Sequence, residues 1–284
     1  MKAAPVQSRT ALVTGCSTGI GLATAHLLRD RGWTVWPTAR KADDLARLRA
    51  EGFDPIALDL LDPESAQGAA DEALKRGGGH LGALINNAGY GQPGAVEDLT
   101  PTALRRQFEV NVFGLQELTS HVLPAMQQQG YGRIVNVSSV LGWVTIPFMG
   151  AYCASKHALE SLSAALRIEL RGSGVAVSLV EPGPIETEFR KNAFEHGREH
   201  LDAGRSRFAK LYEGQGRRKM AKGFRSSDPF TAPPEAVARR IIHALESARP
   251  RRHYPITFTA HAMYYLRRVL PEALKDWLMS FRLR

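Results

Sequence analysis

The chain has 284 residues, 44% of them hydrophobic, and a formal net charge of +9. That is ample apolar material for a large core, and the basic excess is local. Eleven Lys/Arg against four Asp/Glu lie between Arg190 and Arg225, and eight against two between Arg249 and Arg284, so the rest of the chain is net acidic. There is no Lys/Arg run interleaved with aromatics to suggest a nucleic-acid surface. Two cysteines, Cys16 and Cys153, without C-x-x-C spacing exclude a disulfide framework and a cysteine zinc site. No window approaches the roughly 18 apolar residues of a spanning helix, and Met1–Arg9 has no signal-peptide stretch, so the expectation is a cytoplasmic protein.

In chain order, short β-branched runs at Ala11–Thr14, Thr34–Thr38, Pro55–Leu58, Ala83–Asn86, Arg133–Ser138 and Val175–Glu181 read as strands separated by helical patterns. Parallel strands need crossover helices, so the alternation implies an α/β fold: a Rossmann-like, doubly wound parallel sheet in a single domain over residues 1–284. Residues 1–9 form an N-terminal arm. Residues 185–228 break the rhythm as a charged, helix-prone insertion read as a substrate lid. A Pro-initiated helix over Pro233–Glu246 and a last strand near Tyr254–Phe258 follow. The tail, 259–284, is amphipathic: Leu274, Trp277, Leu278 and Phe281 recur at i, i+3, i+4, i+7, with Lys275, Arg282 and Arg284 beside the stripe. It fits packing on its own domain or a second subunit, or peripheral contact with an anionic membrane.

The first strand runs into Thr14-Gly15-Cys16-Ser17-Thr18-Gly19-Ile20-Gly21 and then a helix. Glycines let backbone approach a pyrophosphate closely, and the N–H groups opening the helix meet its charge. At the end of the second strand, where an acid would bond the adenosine ribose, stand Arg40 and Lys41. A permanent cation with a planar fork suits a 2′-phosphate, with Ser17 as a helper, so NADP(H) is the expected cofactor. The fourth strand ends in Asn86-Asn87-Ala88-Gly89 and the fifth in Ser138-Ser139. Thirteen residues beyond Ser139, Tyr152-Cys153-Ala154-Ser155-Lys156 opens a helix reaching about Arg171. Tyr152 and Lys156, four apart, share a helix face, so the ammonium is expected to favour the phenolate. A two-unit shift is worth roughly 2.7 kcal/mol.

The T-G-x-x-x-G-x-G turn with Y-x-x-x-K resembles the short-chain dehydrogenase/reductase family over about residues 10–190, and the stretch around Tyr152 is similar to hydroxysteroid and retinol dehydrogenases. The resemblance implies hydride transfer between a nicotinamide and a carbonyl or alcohol, here a lipophilic ketone, aldehyde or secondary alcohol. It implies a tetrad of Asn111, Ser139, Tyr152 and Lys156, with Ser139 selected over Ser138 by its spacing to Tyr152. Cofactor contacts implied are Gly15, Ser17, Thr18, Gly19, Ile20, Gly21, Arg40, Lys41, Asp59 and Leu60. Along the later strand ends they are Asn87, Ala88, Gly89, Asn111, Tyr152, Lys156, Pro182, Gly183, Ile185 and Thr187. It also implies a homodimer or homotetramer. Trp143, Val144, Pro147, Phe148, Phe189, Phe194, Leu211 and Tyr212 are candidates for a hydrophobic pocket. His196-Gly197-Arg198-Glu199-His200 matches the H-x-x-E-H of a zinc peptidase class. Gly197 weakens the helix that pattern needs, and no metal site is expected. A non-catalytic dinucleotide-sensing or nucleic-acid-associated protein is the competing reading, and the intact tetrad stands against it.

Overall fold

The computed structural model describes residues 3–189, 192–193, 201, 206–213 and 230–280. Seven strands form one parallel sheet: β1 Thr10–Val13, β2 Thr34–Ala39, β3 Ile56–Ala57, β4 Ala83–Asn86, β5 Gly132–Val137, β6 Val175–Pro182 and β7 His253–Ile256. Their order is β3-β2-β1-β4-β5-β6-β7. The winding direction therefore reverses between β1 and β4, which opens a crevice at their carboxyl ends.

Both faces of the sheet are buried, which is why its strands read as continuous apolar runs. Successive side chains point to opposite faces, so Ala11, Val13, Ile85, Val135, Val137 and Val180 share one core and Leu12, Leu84, Ile134 and Val177 the other. The first core lies against α1 (Gly19–Asp30), α2 (Ala42–Ala50) and the later helix Pro234–Glu246; the second lies against α3 (Pro63–Arg76) and α5 (Gly114–Gln129). Helix starts are written locally. Asp62 accepts from the Glu64 N–H ahead of Pro63, and Thr100 from the Ala103 N–H ahead of Pro101, which opens α4 (Pro101–Phe108). Then come α6 (Gly150–Glu169), α7 (Ala209–Glu213), α8 (Pro234–Glu246), α9 (Phe258–Leu266) and α10 (Glu272–Ser280).

The last strand ends at Ile256 and not near Phe258: Thr257 turns the chain at φ 83, and its side chain accepts from the Ala260 N–H to begin α9. The amphipathic tail is two helices interrupted at Pro271, which cannot continue an α-helical ladder. Leu274, Trp277 and Leu278 are 39%, 56% and 40% exposed. Among the described residues no helix is long and apolar enough to cross a membrane. Of the insertion at 185–228, the segment 206–213 is pinned to the body by Asp98. The hydroxyls of Ser206 and Tyr212 each donate to its Oδ2 at 2.6 Å, and the Ala95 N–H donates to the Tyr212 hydroxyl at 2.8 Å. His196–His200 and Phe194 lie outside the described residues. At the opposite, amino end of the sheet, the Glu246 carboxylate gathers Arg9, Arg31 and the Trp33 indole.

Candidate active site

Thr14 ties the ends of β1 and β4 together. Its hydroxyl oxygen accepts the N–H groups of Asn87 (2.9 Å) and Ala88 (2.8 Å), while the Asn87 amide donates to the carbonyls of Thr14 and Gly15. In the turn that follows, the glycine positions have no room for side chains. A Cβ on Gly21 would sit 2.2 Å from the Gly15 carbonyl oxygen, and one on Gly15, at φ +70, 2.8 Å from the Ala88 Cα. Thr18 opens α1 without its side chain accepting from the helix, and no acid stands in the first turn. The positive end of α1 thus faces a cradle shaped by Gly15, Gly19 and Gly21, with Ser17 and Ile20 in the same turn, and these residues fit a dinucleotide phosphate. Cys16 lies beneath it, fully buried, its thiol pushed up to about 12 by that burial.

At the adenosine end of such a ligand, Arg40 and Lys41 are exposed beyond β2 at the start of α2, where the helix dipole disfavours cations. Asp59 folds its carboxylate onto the Leu61 N–H at 3.1 Å, and the Leu60 carbonyl lies against Gly114, where a Cβ would stand 2.1 Å from its oxygen. Sequence reasoning missed Arg47. From α2 its guanidinium donates to the Ser17 carbonyl and pairs with Asp44 at 3.0 Å, bringing another cation to the phosphate turn. Its only sequence signal is the seven-residue spacing from Arg40, about two helical turns.

The end of β5 and the start of α6 carry the groups expected to react. Ser139 begins the turn Val140–Gly142 with its hydroxyl accepting from the Leu141 N–H. A buried polar ladder, Asn86 to Asn136 (2.9 Å) and Asn136 to Ser163 (2.8 Å), ties β4 and β5 to α6. Tyr152 and Lys156 stand one turn apart on α6, both buried; the Lys156 Nζ is 5.8 Å from the Tyr152 ring centre and donates to the Val137 carbonyl at 2.8 Å. Asn111 sits in a π-helical turn, Glu109–Phe113, between α4 and α5. Its side chain accepts from the Tyr90 N–H, donates to the Tyr90 carbonyl, and donates to the Ser155 hydroxyl at 3.2 Å. Gly89 packs directly on Asn111, so the tetrad and the phosphate turn share one crevice. The segment after β6 returns to it: the Gly183 N–H donates to Ile256, Ile185 bridges Ala232, and Thr187 touches Gly19.

Electrostatics differ from the reading of the pair in isolation. Burial pushes the Tyr152 phenol above its ordinary range, with the Ser139 hydroxyl pulling the other way. The same burial brings Lys156 down to about 8, with Glu160 pulling it back up. Desolvation is the largest cause for both groups, and the Lys156 ammonium is turned to the Val137 carbonyl. Beside Tyr152 the surroundings are apolar: the Phe189 ring is tilted against it with centroids 5.5 Å apart, and Gly91 leaves space filled by Met149 and Phe189. Phe148, strained at φ 63, packs edge-on against Phe208 at 5.1 Å. Trp143 faces elsewhere, onto Tyr264 and His253.

A parallel sheet with a phosphate turn at its winding reversal and a Ser-Tyr-Lys cluster two strands away defines a dinucleotide-binding α/β oxidoreductase. The family model for short chain dehydrogenase matches residues 9–198. The oxidoreductase YbbO of Escherichia coli K12 is 40% identical over 275 residues, covering 97% of this chain and 95% of that one. Bovine retinol dehydrogenase 8 is 34% identical over 255 residues, covering 85% and 79%. A Burkholderia cenocepacia short chain dehydrogenase in complex with NADP superposes with a TM-score of 0.74 at 25% identity, covering 96% and 98%. One from Burkholderia phymatum in complex with NAD superposes at 0.77 and 27%, covering 96% of each. The chain belongs to the short-chain dehydrogenase/reductase family.

Proposed function

We propose that the protein is an NADP(H)-dependent carbonyl reductase/alcohol dehydrogenase acting on lipophilic ketones, aldehydes or secondary alcohols. The observation that carries the reading is the meeting of Ser139, Tyr152 and Lys156, joined to Asn111, beside a glycine cradle that side chains would fill. The nicotinamide supplies or accepts the hydride when bound. Tyr152, kept neutral by burial, gives its proton to the carbonyl oxygen during reduction and takes one from the alcohol in reverse. Ser139 donates a hydrogen bond to the same oxygen. Lys156 offsets the charge left on the phenolate and holds the ribose of the cofactor. Asn111 fixes the Tyr90 backbone and Ser155, the residue just before Lys156.

Arg40 and Lys41 supply the preference for a 2′-phosphate; Gly15, Ser17, Thr18, Gly19, Ile20, Gly21, Asp59, Leu60, Asn87, Ala88, Gly89, Pro182, Gly183, Ile185 and Thr187 complete the cofactor site. The apolar wall of Met149, Phe148 and Phe189 supports a lipophilic substrate, as does similarity to a protein named retinol dehydrogenase. The 185–228 insertion serves as lid within a single domain. The exposed Val269, Trp277 and Tyr265, close in sequence to Arg267 and Arg268, support cover by a second copy or an anionic membrane surface. Size-exclusion chromatography and flotation with anionic vesicles separate those two covers.

The test is NADPH oxidation with steroids, retinoids and medium-chain aldehydes. Tyr152→Phe is expected to lower turnover by about 10²–10⁴-fold, and an unchanged rate overturns the mechanism. Arg40→Asp is expected to shift preference from NADPH toward NADH; an unmoved ratio overturns the role given to Arg40.

A further inference from the structure

One face of α6 carries a third polar residue that the oxidoreductase mechanism leaves unused. Glu160 follows Tyr152 and Lys156 at the same four-residue interval, its side chain only 12% exposed. It lies beneath the turn that begins at Ser139: a Cβ on Gly142 would stand 2.9 Å from the Glu160 Cγ, 2.9 Å from the Ser138 Oγ and 3.2 Å from the Lys156 carbonyl oxygen. Glycine at 142 is thus what lets this carboxyl sit under the serine turn. Burial pushes the Glu160 carboxyl up, with the Ser138 hydroxyl, the Trp143 indole, Arg267 and Lys156 pulling it back towards its charged form; the Ser138 hydroxyl, the Trp143 N–H and the Glu160 Oε1 all stand short of tight hydrogen-bonding geometry.

Behind Glu160 lies a second buried carboxyl. Glu181 of β6 is fully buried, its Oε2 accepting the Tyr254 N–H at 2.8 Å and its Oε1 2.6 Å from the His253 Nδ1. His253 in turn is 3.9 Å from Glu160. Arg167 and Lys156 on α6, Arg252 beside β7, and Arg267 on the turn after α9 with Arg268 are the cations whose fields reach this group. Two glutamates and a histidine with ligand atoms within 4.8 Å of one another have the spacing of a metal site. The ring of arginines opposes a further cation, and the imidazole nitrogen facing the acids is already engaged by Glu181. Burial and those arginines drive His253 down to about 4, while burial and the nearby Glu160 push Glu181 up to about 10. Both shifts favour the uncharged forms of Glu181 and His253.

We propose that Glu160 is a positioning residue of the oxidoreductase site: one helical turn along α6 from Lys156 and packed beneath the turn that carries Ser139, its carboxylate holds Lys156 as an ammonium. The consequence for turnover rests on the proposed function; the effect on Lys156 does not. In cofactor-free protein labelled with ¹³C-lysine, the Lys156 resonance is identified with a Lys156→Arg variant and followed against pH. Glu160→Gln, of the same shape, is expected to lower its midpoint by about one unit or more. Glu160→Asp is expected to restore most of the shift, and Glu181→Gln to leave the midpoint in place. A Glu160→Gln midpoint equal to wild type overturns the proposal, as does an equal shift in Glu181→Gln. Loss of fold in Glu160→Gln, read by circular dichroism, leaves Glu160→Asp as the deciding variant: its withdrawn carboxylate is expected to lower the Lys156 midpoint measurably where Glu181→Gln does not, and equal midpoints in the two overturn the proposal. In turnover, Glu160→Gln is expected to lose about tenfold in kcat at neutral pH, its alkaline limb moving to lower pH. Should the wild type turn over no carbonyl, the functional reading fails while the lysine titration still decides the role of Glu160.

Discussion

Replacing Gly21 by alanine adds one methyl where the turn has no space. The new Cβ would lie 2.2 Å from the Gly15 carbonyl oxygen and 2.6 Å from the Asn87 amide nitrogen, so the turn must retreat by more than an ångström to reach ordinary contact. Overpacking of that kind costs about 1–3 kcal/mol, and losing the 3.1 Å bond from Asn87 to Gly15 about 1 more. The better helix propensity of alanine returns at most about 1 kcal/mol. A net loss of roughly 1–3 kcal/mol lowers Tm by about 2–4 °C per kcal/mol. Cofactor affinity should suffer more, because the N–H groups that meet a pyrophosphate move with the turn. Losing two such charge-assisted bonds corresponds to at least a roughly 100-fold rise in Kd. Calorimetric titration with NADPH and thermal melts measure both quantities. Gly68→Ala, where a Cβ meets nothing within 4 Å in the middle of α3, is the control and should bind normally. Unaltered NADPH binding by Gly21→Ala, with its Tm lowered as expected, would show that the nucleotide does not use this cradle.

Lys156, at about 8 in the fold against 10.5 when free, sets two pH effects. Between those values the unfolded chain holds a proton that the folded one has released, so this group makes stability rise with pH across that window. Reductase activity is expected to run the other way, falling above about pH 8 as the ammonium is lost; a kcat/KM profile flat to pH 10 would refute it. Asp98→Asn weakens two 2.6 Å charge-assisted bonds to the 206–213 segment, each worth about 1.5–3 kcal/mol. Amide exchange there should accelerate at least about tenfold with the core unaffected, and unchanged protection would show that Asp98 is not the latch.

The fold and the pairing of Tyr152 with Lys156 were legible because their signals are local. Strand runs flanked by crossover helices specify a parallel sheet, and the Tyr152–Lys156 interval is a property of any helix. Where β7 stops was less legible, since Thr257 leaves the strand through a positive φ that a β-branched residue seldom adopts. Arg47 reaches Ser17, and Glu160 lies beneath the serine turn, only once α2 and α6 are docked on the sheet; nothing in their own segments announces it. The acidity of Tyr152 was misjudged for a related reason. Spacing revealed the neighbouring cation, whereas the depth of burial that outweighs it belongs to the tertiary packing.

Because all strands of the sheet point the same way, the two chain ends have unequal access to the chemistry. The leading arm enters at the face where Glu246 clamps Arg9, Arg31 and Trp33, whereas α9 and α10 leave from the carboxyl end of β7, the side that bears the crevice. A carrier domain or immobilising tether fused ahead of β1 would hang from the rear of the molecule with the entrance clear. The same cargo appended after α10 would be joined through helices that leave from the crevice side.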